Sequence, residues 1–129
     1  MSADSQAAAA LDRLRRAVVR LEEASQVPAD QPLAIDGTIQ RFELAFELFW
    51  KAAKRLLARD GIDTATPRET LRAAYKAGWI DDEAVWLAML DDRNTSSHVY
   101  DEATAKRIYE NIRRNVPTLR HGLEALTRR

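Results

Sequence analysis

The chain has 129 residues, twenty Lys and Arg against twenty Asp and Glu, and no cysteine. That length builds one hydrophobic core without covalent staples, and the missing thiols exclude disulfides, thiolate metal sites and cysteine nucleophiles, as fits a reducing cytosol. A net charge of zero predicts no bulk attraction to nucleic acid, "MSADSQAAAALDRLRR" resembles no signal peptide, and no uncharged apolar run approaches the ~20 residues of a membrane span.

Leu11, Leu14, Val18 and Leu21 recur at spacings of three and four, which predicts a helix over about 5–25. "SQVPADQP" ends it, because proline lacks the amide hydrogen and clashes with the preceding turn. A second helix is expected over about 33–60, stopped by Gly61. Ile35, Ile39, Phe42, Phe46, Phe49, Trp50, Ala53, Leu56 and Leu57 form its inner stripe. Leu44 and Leu48 lie nearly opposite, among Arg41, Glu43, Glu47, Lys51 and Arg55. Such a second strip is covered either by another helix of the chain or by another subunit.

"TATPRETLRAAYKAGW" reads as a short helix capped by Thr66, with Pro67 at its first position, Glu69 completing a capping box and Gly78 closing it. A fourth helix should start near Asp81 or Asp82, with Val85, Trp86, Met89 and Leu90 inward and Arg93 extending that stripe. The last should start after Asp101 and bury Ala105, Ile108, Ile112, Val116, Leu119, Leu123 and Leu126. Pro117 interrupts that seam, so a kink or brief break is expected near 113–117, at a cost of about 3 kcal/mol. No segment alternates as a strand does. The expected fold is all-α, an up-and-down bundle with short loops.

Charge is unevenly spread. Residues 81–102 carry seven acids against Arg93 alone; residues 106–129 carry seven bases against Glu110 and Glu124. Solvated helix faces explain this, or the polarity orients a partner.

"DDRNTSSHVYDE", residues 91–102, is the stretch with chemistry in it. Five positions separate Arg93 from His98, about 140° on a straight helix, so the two would not share a face. Asn, Thr and Ser compete for the backbone with their side chains. Either the helix ends, tightens or bulges between 94 and 98, or Arg and His of different subunits meet across a two-fold axis. A guanidinium clamps phosphate with parallel hydrogen bonds, and histidine exchanges protons near neutral pH. Together they suit cleavage of an RNA phosphodiester without a metal, with a second proton-transfer group from a second copy of His98. His121 is a poor second, since it points away from the Leu119–Leu123 seam. The plainer reading is a helix cap with ion pairs, for which Asp92 and Asp101 are at hand.

"RNTSSHVY" resembles the motif of HEPN domains. "DGTIQRFELAFELFWKAAKRLL", "TPRETLRAAYKAGWI", "WLAMLDDRNTSSHVYDE" and "AKRIYENI" resemble, in order over about 36–112, the nucleotidyltransferase substrate-binding proteins, the HepT-like branch of that superfamily. The resemblance implies a four-helix up-and-down core with one additional short helix, a single domain over 1–129, and a homodimer with the motif near its axis. It implies no cofactor and no metal. It also implies a minimal nucleotidyltransferase partner in a toxin–antitoxin module. There the HEPN chain is the endoribonuclease toxin, and the transferase silences it by adding adenylate to the motif tyrosine. Carried onto this chain, Arg93 and His98 are the catalytic pair, Asn94 the polar auxiliary and Tyr100 the adenylylated residue. The alternatives are a non-catalytic substrate- or nucleotide-binding subunit and a helical interaction module. The acidic 81–102 segment would suit a basic face of the transferase, or the basic 106–129 segment folds near the cleft and supplies the RNA surface.

Overall fold

A computed structural model of the chain describes residues 2–98 and 101–129. Among them five helices form and no strand: α1 Ala3–Ser25, α2 Ala34–Arg59, α3 Pro67–Lys76, α4 Glu83–Ser96 and α5 Glu102–Thr127. The architecture is an antiparallel up-and-down bundle of α1, α2, α4 and α5, with α3 as the short extra helix. α1 packs along α2, α5 closes against both, and α3 and α4 complete the far side of α2. No described helix is long and apolar enough to cross a membrane.

The core follows the periodicities in the chain. Leu14, Val18 and Leu21 of α1 meet Phe42, Phe46, Phe49, Leu56 and Leu57 of α2 and Ile108, Ile112, Leu119, Leu123 and Leu126 of α5, all buried. Each such side chain withdrawn from water contributes ~1.5–3 kcal/mol. Ala7, Ala10 and Ala17 are buried too, so small residues of the alanine run belong to the packing face. Ile35, Ile39 and Trp50 sit half-buried at the edges of the α2 stripe. Leu48 packs against the core from outside, whereas Leu44 stays 48% exposed. The second strip is thus partly covered by the chain itself.

Helix ends obey local chemistry. α2 and α3 stop in the same way, with Gly61 (φ 84°) and Gly78 (φ 79°) in the left-handed region that side chains disfavour. Ile62 and Trp79 then donate back to Leu57 and Ala74, and Gly61 and Gly78 to Ala58 and Tyr75, which satisfies the orphan carbonyls. Thr66 caps α3 through its Oγ1, which accepts from Glu69 N at 3.2 Å. The expected capping box is shifted by one residue: Glu69 Oε2 accepts from Ala65 N, not from Thr66 N. Asp82, rather than Asp81, caps α4, and Asp101 caps α5.

The expected break at Pro117 does not occur. α5 runs unbroken from Glu102 to Thr127, about 39 Å at 1.5 Å per residue. Proline removes one hydrogen bond there, but Val116 and Leu119 beside it and Ile112 and Leu123 beyond are buried. That burial on both sides of the proline accompanies a continuous helix. Gly122 lets α5 lie close against two aromatic rings: a Cβ there would be 2.7 Å from Trp86 Cζ2 and 2.8 Å from Phe49 Cε2. Those two rings stack with centroids 4.2 Å apart.

Candidate functional site at the end of the fourth helix

α4 carries Trp86, Met89 and Leu90 into the core, so its direction is set by burial. Its last turn therefore lands between α2 and α5 with polar residues in place of apolar ones. The helix ends at Ser96, with Ser97 as C-cap, and His98 N donates to Thr95 O at 3.0 Å in the following turn. The expected ending between 94 and 98 is thus observed. Ser97 Oγ donates to Asn94 O (2.9 Å), the backbone competition expected of these residues, and Ser96 Oγ lies 2.9 Å from Arg93 O.

Arg93 is half-buried and Asn94 and His98 are exposed. Among the described residues, no hydrogen bond joins the side chains of these three to one another. Tyr100, the expected site of modification, lies outside the described residues.

The partners of Arg93 differ from those expected. Asp92 and Asp101 do not pair with it; Asp101 is occupied as the cap of α5, accepting from Ala103 N and Thr104 N. Instead Arg93 Nη2 donates to Glu47 Oε2 at 3.2 Å, from α2 and 46 residues away. Glu47 is itself held from its own helix: Trp50 Nε1 donates to Oε2 at 3.0 Å and Lys51 Nζ lies 3.2 Å from Oε1. Burial opposes the charge of Glu47, but donation from Trp50 and Lys51 and the cations Lys51 and Arg93 outweigh it, so its pKa lies below the ordinary 4.5. One turn earlier on α2, Glu43 Oε2 accepts from Ser96 Oγ at 2.6 Å. Glu43 and Glu47, four residues apart and on one face, thus pin the last turn of α4 at two points. Neither acid was singled out from the sequence, where both look like members of a solvated charged face. The only local signal was the i, i+4 order of Glu47 and Lys51.

On the α5 side, Asp92 Oδ2 accepts from Asn111 Nδ2 at 3.2 Å, and the Asn111 carbonyl accepts from Arg114. Burial pushes the Asp92 carboxyl above its ordinary range, against the Asn111 hydrogen bond and the charge of Arg107. The basic segment therefore does lie beside the motif. The motif itself is an open polar ledge. Clefts of ≈ 440 Å³, between Gly78–Asp82 and Thr118–Arg128, and ≈ 460 Å³, between the end of α1 and Pro117, lie elsewhere, and neither is lined by Arg93 or His98. Exposed His121 borders both.

Known proteins agree with this arrangement. Residues 9–128 match the family model described as "Nucleotidyltransferase substrate binding protein like". The chain is 35% identical over 113 residues to a Haemophilus influenzae protein named "Probable ribonuclease HepT", covering 81% of this chain and 77% of that one. A Haemophilus influenzae structure, described as revealing the fold of a substrate binding domain of a nucleotidyltransferase, superposes with a TM-score of 0.82 at 33% identity. It covers 91% of this chain and 98% of its own. A Thermus thermophilus crystal structure gives a TM-score of 0.82 at 31% identity, over 88% of this chain and 98% of its own. With a family match over nearly its whole length and the same bundle in its relatives, the chain belongs to the nucleotidyltransferase substrate-binding protein-like family, the HepT-like branch of the HEPN domains.

Proposed function

We propose that the protein is the ribonuclease of a two-component system. It cleaves RNA without a metal and is silenced by a minimal nucleotidyltransferase that adenylylates Tyr100. The observation that carries the reading is the Glu47–Arg93 pair. A pre-anchored carboxylate fixes this arginine in the last turn of α4, after which His98 follows in the turn. One nitrogen is spent on Glu47; the remaining N–H groups suit two phosphate oxygens.

In the proposed reaction one His98 imidazole removes the proton of the 2′-hydroxyl. The 2′-oxygen bonds to phosphorus as the bond to the 5′-oxygen breaks, and a second His98, in protonated form, delivers a proton to that 5′-oxygen. A cyclic 2′,3′-phosphate and a 5′-hydroxyl result. Arg93 balances the charge that builds on the phosphorane, and exposed Asn94 supplies a further hydrogen-bonding group. Two histidines call for two copies of the chain, so the active form is a homodimer. An adenylate on Tyr100, two residues after His98 in the sequence, would add negative charge that competes with the substrate's phosphate.

The test is cleavage of structured RNA in EDTA by protein purified without its partner, beside His98→Ala and Arg93→Ala. Activity that survives either change sinks the catalytic assignment. A well-folded dimer that cleaves no RNA points to the second reading, a non-catalytic substrate-binding subunit, which the family's description favours. Co-expression with the transferase should add adenylate mass to the chain, and Tyr100→Phe should abolish it. A monomer in sedimentation at micromolar concentration would remove the paired histidines.

A further inference from the structure

The net charge of zero conceals a division of the surface. Lys106, Arg107, Arg113 and Arg114 stand exposed on the first half of α5. They form two adjacent pairs seven residues apart, so each repeats along the helix after ~10.5 Å on nearly the same face. Elsewhere seven arginines lie within 4.0 Å of a carboxylate: Arg15 and Arg16 at Asp12, Arg20 at Glu23, Arg59 at Asp4, Arg68 at Asp91, Arg93 at Glu47 and Arg120 at Glu22. Among the described residues none of these four lies within 4.0 Å of a carboxylate oxygen. Arg114 is instead oriented by a neutral group, the Asn111 carbonyl, and Arg113 lies over the Tyr109 ring at 5.7 Å. Both border a cleft of ≈ 410 Å³ with Ser25, Gln26 and Glu110.

Position gives this block meaning. Asn111 bridges Arg114 to Asp92, the residue before Arg93. A polyanion laid over Arg107 and Arg114 is therefore delivered to the last turn of α4.

We propose that Lys106, Arg107, Arg113 and Arg114 form the surface on which single-stranded RNA lies, its phosphates tracking along α5 toward Arg93. This rests on the ribonuclease reading for its direction but not for its occurrence, since binding is measured apart from cleavage. A repeated row of unpaired cations reads phosphate spacing and not base identity, so the surface is sequence-tolerant. It reaches α4 at its last turn, beside Asp92, and leaves Asp81, Asp82 and Glu83 at the opposite end of that helix outside the RNA path.

The experiment is fluorescence anisotropy of a labelled single-stranded RNA of mixed sequence, titrated with full-length His98→Ala protein over a range of salt. Arg107→Gln/Arg114→Gln in that background should raise Kd by about tenfold. It should flatten the log–log salt slope by about 1.4, at ~0.7 per lost phosphate contact on a single strand. Arg72→Gln/Lys76→Gln, which removes the same charge from exposed positions on α3, should change little. The proposal is overturned if the parent does not bind RNA, if both double variants weaken it equally, or if the α5 variant keeps its RNA affinity and loses only the transferase in co-purification. If the parent binds through α5 while the wild-type chain never cleaves, this surface stands and the ribonuclease reading falls.

Discussion

The α5 helix meets α4 and α2 in two chemically opposite ways, at Gly122 and at Asn111. Around Gly122 the contact is dry: Phe49 and Trp86 stack and leave no room for a single added carbon. Around Asn111, and across to Glu47, the contact is polar: the carboxylates of Asp92 and Glu47, the Asn111 amide and Arg93, half-exposed and linked by hydrogen bonds. The first joint holds the helices by close packing, in which every methylene counts. The second adds little net stability, because part-exposed ion pairs are screened and entropically costly. What it adds is direction, since each side chain has one hydrogen-bonded place. Stability and chemistry are thus kept in different layers of the same interface.

Substitutions can break or sharpen that contrast. The largest effect is expected from Arg93→Ala and His98→Ala, with losses of cleavage of 10²–10⁴-fold, on the order of general acid–base contributions. The unfolding free energy should stay within the ~0.5 kcal/mol of ordinary surface changes; a large drop in stability would place these residues in the structural layer. Gly122→Ala is the opposite case. It should destabilise by ~1–3 kcal/mol through overpacking against Trp86 and Phe49, measured by chemical denaturation, while cleavage per folded molecule persists.

Glu47→Gln separates the layers by pH. The folded pKa of Glu47 lies below its unfolded value, so its ionisation stabilises the fold above about 4.5, and that contribution is lost as the pH falls through the folded pKa. Glutamine keeps the shape and an acceptor but cannot titrate. The variant should lose less than ~1 kcal/mol at neutral pH, flatten the acid limb of stability below about 4.5, and lower kcat more than it raises KM. An unchanged acid limb would count against the charged pair. The smallest effect is expected of Asp92→Asn. Burial raises that carboxyl, so its ionised form opposes folding, and stability should fall as pH rises through its folded pKa. Asparagine retains an acceptor for Asn111, so denaturation at neutral pH should show unchanged or slightly higher stability. A clear loss would mean that the charge itself, through Arg107 and Arg114, holds the joint.

Much of the fold was legible because burial and helix chemistry are local and periodic. The spacing of Phe42, Phe46 and Phe49, the cap at Thr66 and the glycine stops at 61 and 78 act within one or two turns of their own position. The break expected at Pro117 is absent for the same reason: its local cost is real, but the contacts that offset it come from the buried seam on either side. Arg93, Asn94 and His98 were singled out through a motif contiguous in the chain, and the end of the helix could be read from "NTSS". The partners of Arg93 could not. Nearby Asp92 and Asp101 were the natural candidates, and both are occupied elsewhere, Asp101 by a cap and Asp92 by Asn111.

By itself, then, the sequence determined the all-α class, the helices to within a residue or two, and the chemistry offered at 93–98, because each follows from neighbours in the chain. Tertiary structure alone decided that Glu47 and Glu43 anchor the end of α4, that the helix through Pro117 stays whole, and that Arg107 and Arg114 stand beside Asp92. Those outcomes depend on which faces of α2, α4 and α5 meet. Burial of aromatic residues sets that meeting, and the polar groups at the joint then pair with whatever it brings within reach.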